Sequence, residues 1–167
     1  MKKKIERNYL EINSIKDLKE KNFKSETYNV SLVSPPDFQI NKFFYKNIGK
    51  NHKWLDRLEW SEKKWIEYIS NKTVKTYILK KNIDYLGYYE LIFHTEKKET
   101  EIAYLGLLEE YQNNKLGSCL LSSAIKNSFL KNSKRVWVHT CSLDHKNALR
   151  NYLLRGMKIF KKETILV

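Results

Sequence analysis

A chain of 167 residues, 41% of them hydrophobic, can bury a sizeable core within one domain and need not be disordered. No apolar run nears the ~20 residues of a membrane span, and the basic start, Met1-Lys-Lys-Lys-Ile-Glu-Arg-Asn8, has no apolar stretch behind it, so it does not read as a signal peptide. The formal charge of +13 is carried by 32 Lys and Arg of which only five are Arg, spread along the whole chain beside abundant Asn, Ile, Tyr and Phe; A/T-biased coding accounts for that pattern, and dedicated nucleic-acid binding, which draws on Arg to read bases, is not expected.

The first predicted element is a strand at Tyr28–Val33, where apolar residues alternate. Ser34-Pro-Pro-Asp37 then offers an N-cap Ser, Pro in the first turn and Asp at N3, and a helix follows with Phe38, Phe43 and Phe44 partly on one side. Ser61 is a second expected N-cap, with Trp60 and Trp65 placed as a hydrophobic staple and Trp65, Ile66 and Ile69 as the apolar face of a helix reaching about Asn71. Three strand-like runs come next, Val74–Lys80, Ile83–His94 and Thr100–Leu108, joined by polar connections short enough for hairpins.

After Gly117, Leu116, Leu120, Leu121, Ala124, Ile125 and Phe129 recur at helical period. Arg135–Cys141 reads as a strand, Asp144 as the cap of a helix with Ala148, Leu149, Tyr152 and Leu153 inward, Arg155-Gly156 as its stop, and Met157–Val167 as a last strand. A strand–helix–strand step inside a run of hairpins implies an α/β fold with a mixed, mostly antiparallel sheet flanked by helices. Repeats, linkers and a domain boundary are absent from the pattern, so 1–167 reads as one domain. Cys119 and Cys141 are too few and too scattered for a disulfide framework or a zinc site and read as buried thiols of a cytoplasmic protein. The four His form no triad with a carboxylate, and no metal site is expected.

The densest chemistry lies in 101–121. A buried strand breaks into the polar turn Gln112-Asn-Asn-Lys-Leu-Gly117 and opens a helix, which aims several backbone N–H groups and the helix dipole at one spot, as a pyrophosphate site requires. This turn resembles motif A of the GNAT acetyltransferases, Gln/Arg-x-x-Gly-x-Gly/Ala, with Lys115 in place of the first Gly. Asn147-Ala148 with Tyr152 and Gly156-Met157 is similar to motif B of the same superfamily, and element order and motifs agree over about 74–167. The resemblance implies the GNAT fold, acetyl-CoA as co-substrate and acetyl transfer to a primary amine.

Carried over residue by residue, the resemblance makes Leu107 a main-chain donor to the thioester carbonyl, and Gln112, Asn113, Asn114, Lys115, Leu116, Gly117 and Ser118 the pyrophosphate cradle. Asn147 is implied as a contact to the pantetheine arm, its alternative being helix capping with Asp144. Tyr152 is implied as the acid for the CoA thiolate, the alternative being a core Tyr. Glu101 is implied as the base that deprotonates the amine, against a solvated strand-end carboxylate, with Glu90 or a water chain as competitors. A Lys at 115 would be costly if the turn needed positive φ there.

The acceptor side should use the aromatic segment 43–60. Arg57 could clamp a substrate carboxylate and Trp54 or Trp60 could flank an apolar or cationic group; a structural Arg57 paired with Asp56 or a Glu among core tryptophans is the other reading. A short aromatic segment suits a small-molecule amine, with a protein N-terminus or lysine as the alternative acceptor and a non-catalytic acyl-CoA-binding module as the rival of another class. The reading leaves room for a homodimer.

Overall fold

The computed structural model describes residues 2–166; Val167, the end of the expected last strand, lies outside them. Strands β1 (Lys4–Ile12), β2 (Tyr28–Leu32), β3 (Val74–Lys81), β4 (Asp84–His94), β5 (Glu99–Leu107), β6 (Arg135–Cys141) and β7 (Lys158–Leu166) form one sheet, in the order β2-β3-β4-β5-β6-β1-β7. Every pairing is antiparallel except β5 with β6. Helices α1 (Phe38–Gly49) and α2 (Glu62–Ile69) pack on one face, and α3 (Leu116–Leu130) and α4 (Ala148–Leu154) on the other. The mixed α/β architecture is the one expected.

Strand β1 was not expected. Its buried residues are Ile5, Leu10 and Ile12, so alternation places Ile5 on one face and the other two opposite, with charged residues between. No period-two signal survives in the sequence. Ladders on both sides hold the strand, to β6 and to β7.

The start of α1 also differs from expectation. Its cap is Asp37, which accepts from the Gln39 amide at 2.9 Å, not Ser34. Pro36 bars Pro35 from helical geometry, so the helix cannot begin there. Ser61 does cap α2, accepting from Lys64 N–H at 3.2 Å, and Trp60 meets Trp65 edge-on at 5.0 Å. That helix ends at Ile69, and Ile66 is 43% exposed, so its inward face is Trp65 and Ile69.

The main core lies between the sheet and α3, around Leu79, Leu91, Ile102, Leu120, Leu121, Ile125 and Val136. A smaller one joins Phe44 and Ile48 of α1 to Ile78, Tyr88 and Leu108. At Gly106 a Cβ would stand 2.7 Å from Ile48 Cγ2, so glycine lets α1 seat against the end of β5.

One irregularity shapes the site. The β4–β5 ladder passes from Leu91↔Ile102 to Glu90↔Tyr104, leaving Ala103 opposite no residue of β4. Such a bulge bends its strand and reverses which residues face each side. Accordingly Ile102, Leu105 and Leu107 all pack toward α3, while Tyr104 packs toward α1.

Candidate active site

The parallel pairing of β5 with β6 covers only Glu99↔Arg135, Thr100↔Val136 and Glu101↔Trp137. It stops just before the bulge. Beyond it the strands diverge, and a cleft of about 1340 Å³ fills the gap, lined from both faces of the sheet. Leu108 N–H donates to Leu86 O at 2.8 Å. By the alternation of an antiparallel ladder, the amides of Leu107 and Leu105 then point away from β4, into the gap. There the Leu107 carbonyl accepts from Gln112 Nε2 at 3.3 Å.

The turn from β5 to α3 uses two left-handed residues, Asn113 (φ 65°) and Lys115 (φ 62°, ψ 12°). Lys115 therefore occupies the conformation that favours glycine. As N-cap of α3 it supplies no side-chain acceptor. Ser118 Oγ turns back to the Lys115 carbonyl at 2.9 Å instead of capping an amide. The first-turn N–H groups of α3 are thus left to the cleft, which Gln112 to Ser118 all line. A Cβ at Gly117 would meet only Asn151 Nδ2 at 3.8 Å and Leu107 Cδ1 at 4.0 Å. The chain's own packing does not demand glycine there.

Helix α4 forms the other wall. Tyr152 is buried, lines the cleft, and its hydroxyl has no hydrogen-bond partner among the described residues. Burial, and after it the nearby Asp144 charge, push its pKa well above the ordinary phenol value, so the hydroxyl stays protonated. Asp144 does not cap α4. Its carboxylate accepts from Thr140 Oγ1 at 2.6 Å and Cys141 N–H at 3.0 Å, closing the turn after β6. Asn147 takes the N-cap position without a side-chain cap bond; it is exposed and lines the cleft. Asn151 Nδ2 donates to the Gly117 carbonyl at 3.1 Å and ties α4 to the first turn of α3. Beyond it, Arg155 is 6% exposed and lines the cleft, with Nε and Nη1 buried and unpartnered. Burial holds its pKa below the usual guanidinium value.

On the opposite face of the sheet, Glu101 lines the cleft where β5 and β6 part, its carboxylate 3.0 Å from His94 Nε2. Glu90 is 0% exposed and does not reach the cleft. It receives Arg57 Nη1 at 3.0 Å and Nη2 at 2.9 Å, Asn41 Nδ2 at 3.0 Å and the Tyr68 hydroxyl at 2.5 Å. This corrects two expectations. Glu90 is no candidate base, and Arg57, although it borders the cleft, has both terminal nitrogens bonded to Glu90 and is no free clamp for a substrate carboxylate. Its ion-pair partner is Glu90, not Asp56. Burial alone would lower the Arg57 pKa; the Glu90 charge more than offsets that, and the guanidinium stays charged. Its plane lies among Tyr68, Tyr104 and Trp60, at 4.3, 4.5 and 4.8 Å from their centroids. Trp60 packs on Trp65 and Tyr68, outside the cleft. Trp54 does line it, edge-on to Tyr104 at 4.7 Å.

Among the cleft residues that escaped the sequence reading are Leu105, Asn151, Arg155 and Arg7. Leu105 was accessible, since it lies two residues before Leu107 on the same strand edge. Arg155 was read only as a basic helix end, and Arg7 belongs to the unrecognised β1. His139 lines the same chamber; partial desolvation, then Arg7, hold its pKa below the usual imidazole value. Among the described residues, no three His, Cys, Asp or Glu side chains group as metal ligands, and no helix is long and apolar enough to cross a membrane.

The backbone is similar to that of a GCN5-related N-acetyltransferase from Kribbella flavida, with a TM-score of 0.68 at 15% identity over 96% of this chain and 57% of that one. The chain thus spans little more than half the length of that protein. It is also similar to an IAA acetyltransferase from Bacillus cereus, with a TM-score of 0.58 at 21% identity over 80% and 79% of the two chains. An aminoglycoside acetyltransferase from an uncultured soil metagenomic sample gives a TM-score of 0.59 at 10% identity, over 78% and 84%. At such identities these likenesses establish the fold. No curated protein matches the sequence. Residues 38–157 match the acetyltransferase (GNAT) family over most of the chain, from α1 through the turn, the cleft and α4, and the chain belongs to that family.

Proposed function

We propose that the chain is an acetyl-CoA-dependent N-acetyltransferase that acts on the primary amine of a small molecule. The observation that carries this is one cleft with two sets of free main-chain donors. The uncapped first turn of α3 suits a pyrophosphate, and the Leu105 and Leu107 amides suit an acyl-pantetheine arm running through the gap. Lys115 and the unpartnered Arg155 add positive charge at the phosphate end, and Asn147 offers a free amide along the arm.

In the reaction the neutral amine attacks the thioester carbonyl carbon. A C–N bond forms while negative charge builds on the carbonyl oxygen, which a β5 amide meets. The C–S bond then breaks, and sulfur takes the proton of Tyr152, kept available by that side chain's raised pKa. The surplus amine proton leaves toward Glu101. Four residues of strand, about 13 Å, separate Glu101 from Leu105, so this proton travels through water. Glu101 returns its proton to solvent and Tyr152 takes one from it, so in balance one proton passes from nitrogen to sulfur.

His52 lies beside Trp54 and reaches Leu143 O at 3.3 Å and the His145 ring at 6.3 Å, which closes one side of the cleft with aromatic side chains; that supports a small acceptor over a long peptide. Acetyl-CoA should raise the melting temperature by an amount set by RT ln(1 + [L]/Kd), and amines should release free thiol. A thermal shift without thiol release from any amine or peptide would mark a binding module; no shift at all would overturn the reading.

A further inference from the structure

Arg7 is an unpaired cation on the acceptor side of the sheet. It lies across from Cys141 on β6 and Glu163 on β7. Its side chain projects to the face opposite α3 and α4, because Leu10 and Ile12 of the same strand, at the other parity, enter the α3 core. Arg7 is half-buried and lines the cleft. Its Nε is sealed from solvent without a hydrogen-bond partner, and it has no ion pair among the described residues.

The carboxylates on neighbouring strands are committed elsewhere. Glu163 accepts from the Tyr9 hydroxyl at 2.9 Å and pairs with Lys161. Glu101 is held by His94 at 3.0 Å, and Asp144 by Thr140 and the Cys141 amide. Nε is closed off within the protein, but the two terminal nitrogens of Arg7 are not sealed and have no acceptor among the described residues, so they are the donors that a carboxylate in the cleft can reach. Arg7 also stands at the height of Cys141, where β6 has already left β5. From β1, the strand behind β6, it faces the same cleft as the β5 amides and the aromatic wall of Trp54 and Tyr104.

We propose that Arg7 anchors a carboxylate of the acceptor, which makes the acceptor a small amino-acid-like amine with an apolar side chain. This rests on the acetyl-transfer reading. A guanidinium fork matches a carboxylate bidentately. Arg7 carries a single positive charge. Glu163 directly across from it, whose pKa is lowered by Lys161 and Tyr9 and then by that charge, is spent on Tyr9 and Lys161. One such charge balances a carboxylate and would leave a phosphate dianion half-neutralised. Arg57, the earlier candidate, already spends both terminal nitrogens on Glu90, which Arg7 does not.

The test compares phenylalanine and leucine with phenethylamine and isoamylamine, the same amines without the carboxylate, in thiol release from acetyl-CoA. The wild type should favour the amino acids in kcat/KM by about tenfold or more, the scale of a charge-assisted pair. In Arg7→Met this ratio should fall to near one through KM, and Arg7→Lys should keep part of it. Arg7→Gln serves in place of Arg7→Met if the latter does not fold. A wild-type preference for the carboxylate-free amines, or an unchanged ratio in Arg7→Met, overturns the proposal. Calorimetry of the same amino acids on the CoA-saturated protein separates the two readings. If no amine releases thiol, acetyl transfer fails; binding that disappears in Arg7→Met still upholds the anchor. Binding unaffected by the substitution, or absent from the wild type, refutes it.

Discussion

The two faces of the cleft are built from different materials. On the α3–α4 side the polar equipment is mostly backbone: the first-turn amides of α3 and the free edge of β5, with Tyr152 and Asn147 as side-chain additions. On the α1–α2 side it is side chain, and most of it is already spent, with Arg57, Glu90, Tyr68 and Asn41 satisfying one another beneath the aromatic wall. A backbone site needs a particular fold and tolerates many side chains. A side-chain network fixes the identity of each member, because removing one strands the others. Substitutions on the first face should therefore change ligand binding and leave the fold intact, and substitutions in the network should do the reverse.

The largest effect is expected in the network. Arg57→Met leaves the Glu90 carboxylate buried without its counter-ion, which costs about 3–5 kcal/mol. At the ~2–4 °C per kcal/mol typical of this chain length, the melting temperature should fall by roughly 10 °C, and the Arg57→Met/Glu90→Leu double variant should regain much of it. An unchanged melting temperature with a raised acceptor KM would instead return Arg57 to substrate binding and erase the contrast between the faces.

Gly117→Asp should do the opposite. The position has room for a Cβ, and an acidic residue in the first turn of a helix is favourable, so the melting temperature of the free protein should hold or rise slightly. The carboxylate would occupy the phosphate path, and acetyl-CoA affinity should fall by ~10²-fold or more, about 2.7 kcal/mol. Calorimetry reads this directly; retained affinity would move the pyrophosphate away from α3. Tyr152→Phe is next. It removes a hydroxyl with no internal partner, so folding and the KM for acetyl-CoA should change little while kcat drops about 10²-fold, the lower end for general acid catalysis. A full kcat would assign thiolate protonation to water.

The same contrast explains what could be read from the residues alone. Local signals placed the β3–β5 hairpins, the Ser61 cap, the turn at 112–117 and α3, because strand alternation, capping and helical period are written within a few residues. The Arg57–Glu90 pair joins residues 33 apart in sequence, and nothing near either one marks the other. Strand β1 was hidden because its buried residues fall on both faces between charged neighbours; its stability comes from the ladders on either side. The bulge at Ala103 carries no Gly or Pro signal, yet it decides where β5 leaves β6. The motif points to Leu107 and the turn, and the same strand edge then points to Leu105; that both amides face away from β4 needed the ladder.

The smallest effect tests the backbone face at Lys115, one of the two left-handed residues of its turn. Lys115 adopts φ 62° and ψ 12°, a conformation that costs a residue with a Cβ roughly 1–2 kcal/mol. Glycine would remove that strain but carries more entropy in the unfolded chain, about 0.5–1 kcal/mol. Lys115→Gly should therefore stabilise the free protein by ~1 kcal/mol at most, a rise of a few degrees in melting temperature. On the proposed reading the exposed ammonium meets a phosphate as a point charge worth up to about 1 kcal/mol, so acetyl-CoA affinity should fall by no more than roughly fivefold, and less as salt is raised. Lys115→Ala keeps the strain and loses the charge, so it should match the affinity of Lys115→Gly without its gain in stability. A tenfold or larger loss shared by both variants would mean that a side chain, and not the amides of the α3 turn, holds the phosphates.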